Sequence, residues 1–227
     1  VQAAIDGCFR REGGRGPAFE TIVGSGANAC VLHYVDNAAR IGEGDLVLVD
    51  AGAEVDFYAG DITRTVPASG RFTPEQRAVY EVVWRAEQAA LAAVAPGRPV
   101  ADVHDAALAV LVDGMVELGL LEGDRDEIVE TEAYKAFFPH QTSHWLGLDV
   151  HDVGDYALGG APRPLEPGMV LTVEPGLYVL PGGTEGRAEA FEGIGVRVED
   201  DVLVTAEGHE VLTGALPSAP DDVERAG

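Results

Sequence analysis

The sequence predicts an α+β domain built on a curved, mostly antiparallel sheet. Three observations carry this reading. Short apolar runs bounded by Gly, Pro and Asp fill the region from about Gly24 to Pro67, two longer segments of helical period follow it, and short apolar runs return after Met169. Strands, then helices, then strands fit segregated α+β layers rather than the steady alternation of a parallel α/β sheet.

Taken in order, Val1 to Arg11 reads as the tail of a helix already under way. It has neither an initiating Met nor the basic start and apolar stretch of a leader, so an upstream portion is expected. Strands are expected at Cys30 to Tyr34, Leu46 to Asp50 and Tyr58 to Val66. Thr73-Pro74-Glu75-Gln76 is a capping box with Pro at the first helical position. The helix it opens carries Val79, Val82, Val83, Ala86, Ala90 and Leu91 on one face and stops at Pro96-Gly97. A second helix, from about Val100 to Leu118, presents Val103, Ala107, Val110, Leu111 and Met115. A short helical stretch is expected between Asp124 and Tyr134. Strands return at Met169 to Glu174, Leu177 to Leu180, Ile194 to Glu199 and Val202 to Thr205. The Pro- and acid-rich residues 216–227 are expected as a surface tail on a single domain spanning 1–227.

The chain has 227 residues and a formal charge of −24, which argues against nucleic acid and anionic membranes as partners. Most of these acids, such as Asp124, Asp126, Glu127, Glu130 and Glu132, need no role beyond solubility. No run approaches the roughly 18 apolar residues of a membrane span. Two cysteines, Cys8 and Cys30, without zinc-like spacing suit a reducing cytoplasm.

Five residues carry the chemistry: Asp50, Asp61, His144, Glu174 and Glu199. Asp50 closes the run Leu46 to Val49, and Asp61 follows Tyr58-Ala59-Gly60. A hairpin turning near Val55-Asp56 sets these aspartates directly opposite on one sheet face. Their Cβ atoms would stand roughly 5 Å apart, and the like charges repel unless a cation lies between them. A lone aspartate reads as a turn or cap residue, but two at strand ends do not. Glu174 ends Val170 to Val173, and a glutamate in such a strand is seldom buried unpaired. Alternation over Ile194 to Glu199 leaves Gly195, Arg197 and Glu199 on one face, where an Arg197 salt bridge is the competing explanation.

Three histidines, His140, His144 and His151, fall close together. No Glu follows His140 as in the helical zinc-protease motif, and Pro139 and the glycines after Trp145 indicate loop and strand. One ligand and two substrate-facing histidines fit better than three ligands. His104 and His209 are read as ordinary structural histidines. Four carboxylates are balanced by two divalent cations, an arrangement that clamps a nucleophilic water and polarises a carbonyl. Oxygen-rich ligation with one imidazole favours Mn2+, with Co2+ or Zn2+ as alternatives. Gly24-Ser25-Gly26 lacks the Gly-Lys-Ser/Thr of a phosphate-binding loop.

Five segments together resemble the catalytic domain of aminopeptidase P (Xaa-Pro aminopeptidase), in the pita-bread metallopeptidases. They are Thr21 to Gly26 leading to Leu32-His33-Tyr34, Asp50-Ala51-Gly52 through Gly60 to Thr65, Ser143 to Gly154, Val173-Glu174-Pro175-Gly176, and Gly195 to Asp200. The resemblance covers nearly the whole chain. It implies a pseudo-twofold pita-bread fold with helices on the outer face of the sheet, and removal of the first residue from peptides with proline second. It further implies that Asp50 and Asp61 hold one metal, that His144 and Glu174 hold the other, and that Asp61 and Glu199 bridge. His33, His140 and His151 match substrate-contacting histidines, Arg197 an arginine supporting the ligand carboxylates, and Tyr178 a residue nearby. Glu174 would shuttle the proton while His140 or His151 stabilises the oxyanion.

Relative to the family pattern, an N-terminal domain and the start of the first helix are expected upstream of this sequence, and Gln141-Thr142 stands in place of a glycine-containing step. Prolidase, which takes only Xaa-Pro dipeptides, is the nearest alternative, and a metal-binding but inert fragment is the alternative of another class. Methionine aminopeptidase fits the histidine segment and Arg197-Val198-Glu199 less well, and a metal-free creatinase-like enzyme does not need all five ligand positions. Assembly as a homodimer or homotetramer is implied by the family.

Overall fold

The structure, a computed structural model, describes residues 1–227. Helix α1 (Gln2–Arg11) leads into β1 (Gly16–Pro17), β2 (Ile22–Ser25), β3 (Leu46–Ala51), β4 (Ala53–Val55), β5 (Tyr58–Ala59) and β6 (Ile62–Pro67). Strands β2, β3 and β6 form an antiparallel sheet with β3 central, so Leu46 and Leu48 are buried and Asp50 stands one residue before the end of the central strand. A smaller sheet, β1-β4-β5, continues the hairpin beyond it.

The hairpin turns at Asp56-Phe57, both with positive φ (50° and 74°), as a two-residue turn of type I′ requires. That is one residue later than the sequence reading placed it, and the register moves by two. Asp50 therefore pairs with Thr63, not Asp61. Asp61 lies diagonally, two residues along, and parity keeps both aspartates on one face. The expected single strand from Tyr58 to Val66 is interrupted at Gly60-Asp61.

The expected strand at Cys30 to Tyr34 is absent. Gly26–Cys30 forms a 3-10 helix instead, and its apolar side chains enter a small core of Ile22, Ala29, Cys30, Leu48 and Tyr178. An apolar run this short does not distinguish a strand from a packed turn.

Helix α2 (Pro74–Ala93) has the expected capping box: Thr73 accepts from the Gln76 backbone N–H, and Gln76 accepts from that of Thr73. Its six sequence-predicted core residues are all buried. Helix α3 (Val100–Leu118) packs along it through Val103, Ala107, Leu111 and Met115, with Val110 at the edge of the core. Gly114 permits the close approach, because a Cβ there would lie 2.3 Å from Val82 Cγ1. Helix α4 (Arg125–Glu130), capped by Asp124, is shorter than expected and is followed by a 3-10 turn at Ala133–Ala136. No helix is long and apolar enough to cross a membrane.

The remaining strands are β7 (Ala157–Leu158), β8 (Ala161–Pro162), β9 (Val170–Val173), β10 (Gly176–Tyr178), β11 (Gly195–Arg197), β12 (Asp200–Val204) and β13 (His209–Val211). They pair antiparallel as β7-β8, β10-β11 and β13-β12-β9. The last residues are tied down along the surface. Arg64 and Tyr80 bind the carbonyls of Leu216, Pro217 and Ser218, and helix α5 (Pro220–Ala226) buries Pro220 and Val223.

Candidate metal centre

A cleft of about 460 Å³ opens where the two groups of strands meet, lined by Asp50, Asp61, His144, Glu174 and Glu199 together with His33, His140, His151 and Arg197. Asp50 comes from the end of β3 and Asp61 from the step before β6. Gly52 makes that step possible: a Cβ there would lie 1.5 Å from the Gly60 carbonyl oxygen. The Asp61 backbone N–H donates to Asp201 Oδ2 at 3.1 Å.

His144 sits in a segment that runs beside β9. Thr172 N–H donates to the His144 carbonyl, Glu174 N–H to that of Thr142, and Leu146 N–H to that of Val170. This places His144 against Glu174 at the strand end, their Nε2 and Oε1 atoms 3.3 Å apart, with Asp61 Oδ2 3.5 Å away. His144 Nδ1 faces the Trp145 carbonyl at 3.0 Å. A carbonyl only accepts, so Nδ1 carries a hydrogen, and Nε2 is the ring atom turned toward the carboxylates.

Asp61, His144 and Glu199 each offer a ligand atom within 4.8 Å of the others. The acids are buried deeply: Asp50 is 8%, Asp61 5% and Glu199 2% exposed. Burial is the first cause in each shift, lifting Asp61 to about 6, Glu174 to about 7 and Glu199 well above the carboxylate range. Burial lowers His144, but the hydrogen bond to Asp61 and the charge of Glu174 outweigh it and raise the ring to about 8. Asp50 Oδ1 and Asp61 Oδ1 are buried without a hydrogen-bond partner. Buried, partnerless carboxylate oxygens beside an imidazole nitrogen are the donor set that suits a hard divalent cation, so these residues fit one.

Arg197 does not bridge to Glu199, as its place in the strand suggested. Its Nη2 donates to Asp50 Oδ2 at 2.6 Å, its Nη1 to Tyr178 OH at 3.0 Å and its Nε to Thr63 Oγ1 at 3.1 Å. Tyr178 OH in turn meets His140 Nε2 at 2.9 Å, and His140 Nδ1 meets the Gln141 carbonyl at 2.8 Å. Nδ1 must therefore carry the His140 hydrogen, and Tyr178 donates to Nε2. Burial, then the charge of Arg197, hold His140 down to about 4, so it stays neutral. His151 is exposed and packs edge-on to His144, with ring centroids 4.4 Å apart. His33 lines the same cleft from the turn after the 3-10 helix.

Thr63, Asp201 and Thr172 were not singled out in the sequence. Thr63 had a signal: it follows Asp61 by two residues on β6 and so shares its face. Thr172 had the same kind of signal, two residues before Glu174, to which its Oγ1 donates at 3.2 Å, whereas Asp201 had none, because its partner Asp61 lies far along the chain. His104 is structural, its Nδ1 3.0 Å from Thr142 Oγ1, and His209 Nδ1 meets the Val94 carbonyl at 2.9 Å.

A cleft of carboxylates and histidines between two antiparallel half-sheets, backed by paired helices, defines the class of pita-bread metallohydrolases. The chain belongs to metallopeptidase family M24, whose family model matches residues 1–206. It is 48% identical over 216 residues to the Xaa-Pro aminopeptidase of Escherichia coli K12, covering 95% of this chain and 48% of that protein. It is 43% identical to Xaa-Pro aminopeptidase 1 of Streptomyces coelicolor, covering 97% and 46%. Among solved structures it resembles Pseudomonas aeruginosa aminopeptidase PepP (TM-score 0.95, 52% identity, 98% of this chain and 50% of that one). An Escherichia coli aminopeptidase P variant in complex with substrate gives a TM-score of 0.94 at 47% identity, covering 98% and 50%. The chain thus spans about half the length of the relatives it matches.

Proposed function

We propose that the protein removes the N-terminal residue from peptides with proline in second position, with residues 1–227 as the catalytic domain. The convergence of Asp50, Asp61, His144, Glu174 and Glu199 in one cleft carries this reading. The names of the relatives, Xaa-Pro aminopeptidases, support the proline preference. Asp50 and Asp61 would hold one divalent ion and His144 and Glu174 the other, with Asp61 and Glu199 shared between them. Mn2+ suits this oxygen-rich set, with Co2+ and Zn2+ as alternatives. When bound, a pair of such ions supplies water activated at neutral pH and polarisation of the scissile carbonyl.

The side chains then divide the work. Glu174 accepts the proton of the attacking water and delivers it to the proline nitrogen as the C–N bond breaks. Both His140 ring nitrogens are engaged, which supports His151 over His140 as the donor to the developing oxyanion, while His140, Tyr178 and His33 shape the substrate wall. Arg197 neutralises part of the acidic wall and fixes Asp50. A homodimer or homotetramer in the cytoplasm completes the reading, and two unpaired thiols support a reducing compartment.

Mn2+-dependent turnover of an Xaa-Pro-Xaa tripeptide by the full-length protein, compared with an Xaa-Pro dipeptide, tests this. Tripeptide cleavage is expected. Cleavage of the dipeptide alone makes it a prolidase, and cleavage of neither leaves a metal-binding but inert module.

A further inference from the structure

Thr63 touches both halves of the centre. It stands opposite Asp50 in the β3–β6 ladder, and its side chain is fully buried. Its Oγ1 lies 2.6 Å from Glu199 Oε2 and 3.1 Å from Arg197 Nε, while its carbonyl accepts the Glu199 N–H at 3.1 Å. Strands β6 and β11 belong to different sheets. Two residues on, Thr65 Oγ1 donates to the Arg197 carbonyl and accepts its N–H, so two threonines on one face of β6 clasp the segment bearing Arg197 and Glu199.

The direction of these bonds follows from donor chemistry. A guanidinium has no acceptor, so Arg197 Nε–H fills a lone pair of the Thr63 oxygen. The single hydroxyl proton is then committed to Glu199. That bond is short, and it fixes the orientation of the Glu199 carboxyl group. Rotation of the Glu199 head group is thereby set by a residue of the other sheet, itself oriented by the arginine that pairs with Asp50.

We propose that Thr63 is a positioning residue, whose hydroxyl holds the Glu199 carboxylate in the orientation that lets it bridge two divalent ions. This rests on the reading of Glu199 as a bridging ligand. Outer partners of metal-ligating groups influence metal affinity about 10- to 100-fold. Thr63→Val removes the hydroxyl at nearly constant shape, and Thr63→Ser keeps the hydroxyl while removing the methyl.

Metal-free full-length protein is titrated with Mn2+ alone by calorimetry, with thermal melts in EDTA recorded for each variant. Thr63→Val is expected to weaken Mn2+ binding about 10- to 100-fold, and Thr63→Ser to bind as wild type does. Wild-type affinity in Thr63→Val overturns the proposal, even if that variant melts earlier. Equal weakening in Thr63→Ser also overturns it, since methyl packing would then be responsible. If Thr63→Val does not fold, Thr63→Ala replaces it with the same expected loss. No Mn2+ binding by wild type overturns the metal reading itself, an outcome distinct from failure of the Thr63 assignment alone.

Discussion

Arg197 and Asp50, 147 residues apart in sequence, form a buried ion pair of 2.6 Å. Removing one partner of such a pair strands the other charge at a cost of about 3–5 kcal/mol. Arg197→Met should lose that much stability by urea denaturation in EDTA. Saturating Mn2+ should restore part of it, because Asp50 regains a cation. Equal losses with and without metal would separate Asp50 from the centre.

Divalent ions that bind only the folded chain must stabilise it. At a free concentration 100 times its Kd, an ion contributes about 2.7 kcal/mol per site. Mn2+ should therefore raise the melting temperature of wild type, with two ions per chain by elemental analysis. His144→Ala removes the only imidazole among the five proposed ligands and should lower both the stoichiometry and the shift. A wild-type stoichiometry of one would refute the dinuclear assignment.

Glu174→Gln keeps the side chain's size and one carbonyl oxygen but cannot take up a proton. A positioned acid–base group typically contributes about 10²- to 10⁴-fold in rate. Tripeptide turnover should fall by that factor in kcat with little change in KM. Near-normal kcat would assign proton transfer to another group.

The sequence exposed the parts of this molecule that repeat locally. The α2 core face followed from helical period, its start from Thr73 and Gln76, and the shared face of Asp50 and Asp61 from strand parity. The direct pairing of those aspartates did not survive, since the register depends on which two residues accept positive φ. Cys30 to Tyr34 reads as a strand because burial in a small cluster leaves the same apolar trace. Arg197 was placed beside Glu199 along its strand, whereas its partners Asp50, Thr63 and Tyr178 come from elsewhere in the chain. Contacts across sheets leave no periodic mark, so Asp201 and the contact of Thr63 with Glu199 emerge only from the fold.

Glu87 was also invisible as anything but a helix residue, yet it is fully buried on α2 and its Oε1 has no partner. Burial first, then hydrogen bonding and charge from Asp200, raise its pKa well above 4.5, against a smaller opposing effect of Arg64. Above the ordinary carboxylate range the unfolded chain has lost this proton while the folded chain keeps it. The folded state then binds more protons, so stability falls as pH rises through that window. Glu87→Gln supplies a permanent neutral donor of the same shape and removes this dependence. It should match wild type near pH 4.5 and exceed it by about 1–3 kcal/mol at pH 8, the usual penalty of a poorly satisfied buried polar group. Urea denaturation of both proteins in EDTA at the two pH values measures the difference, and parallel pH profiles would mean that Glu87 ionises in the folded core without cost.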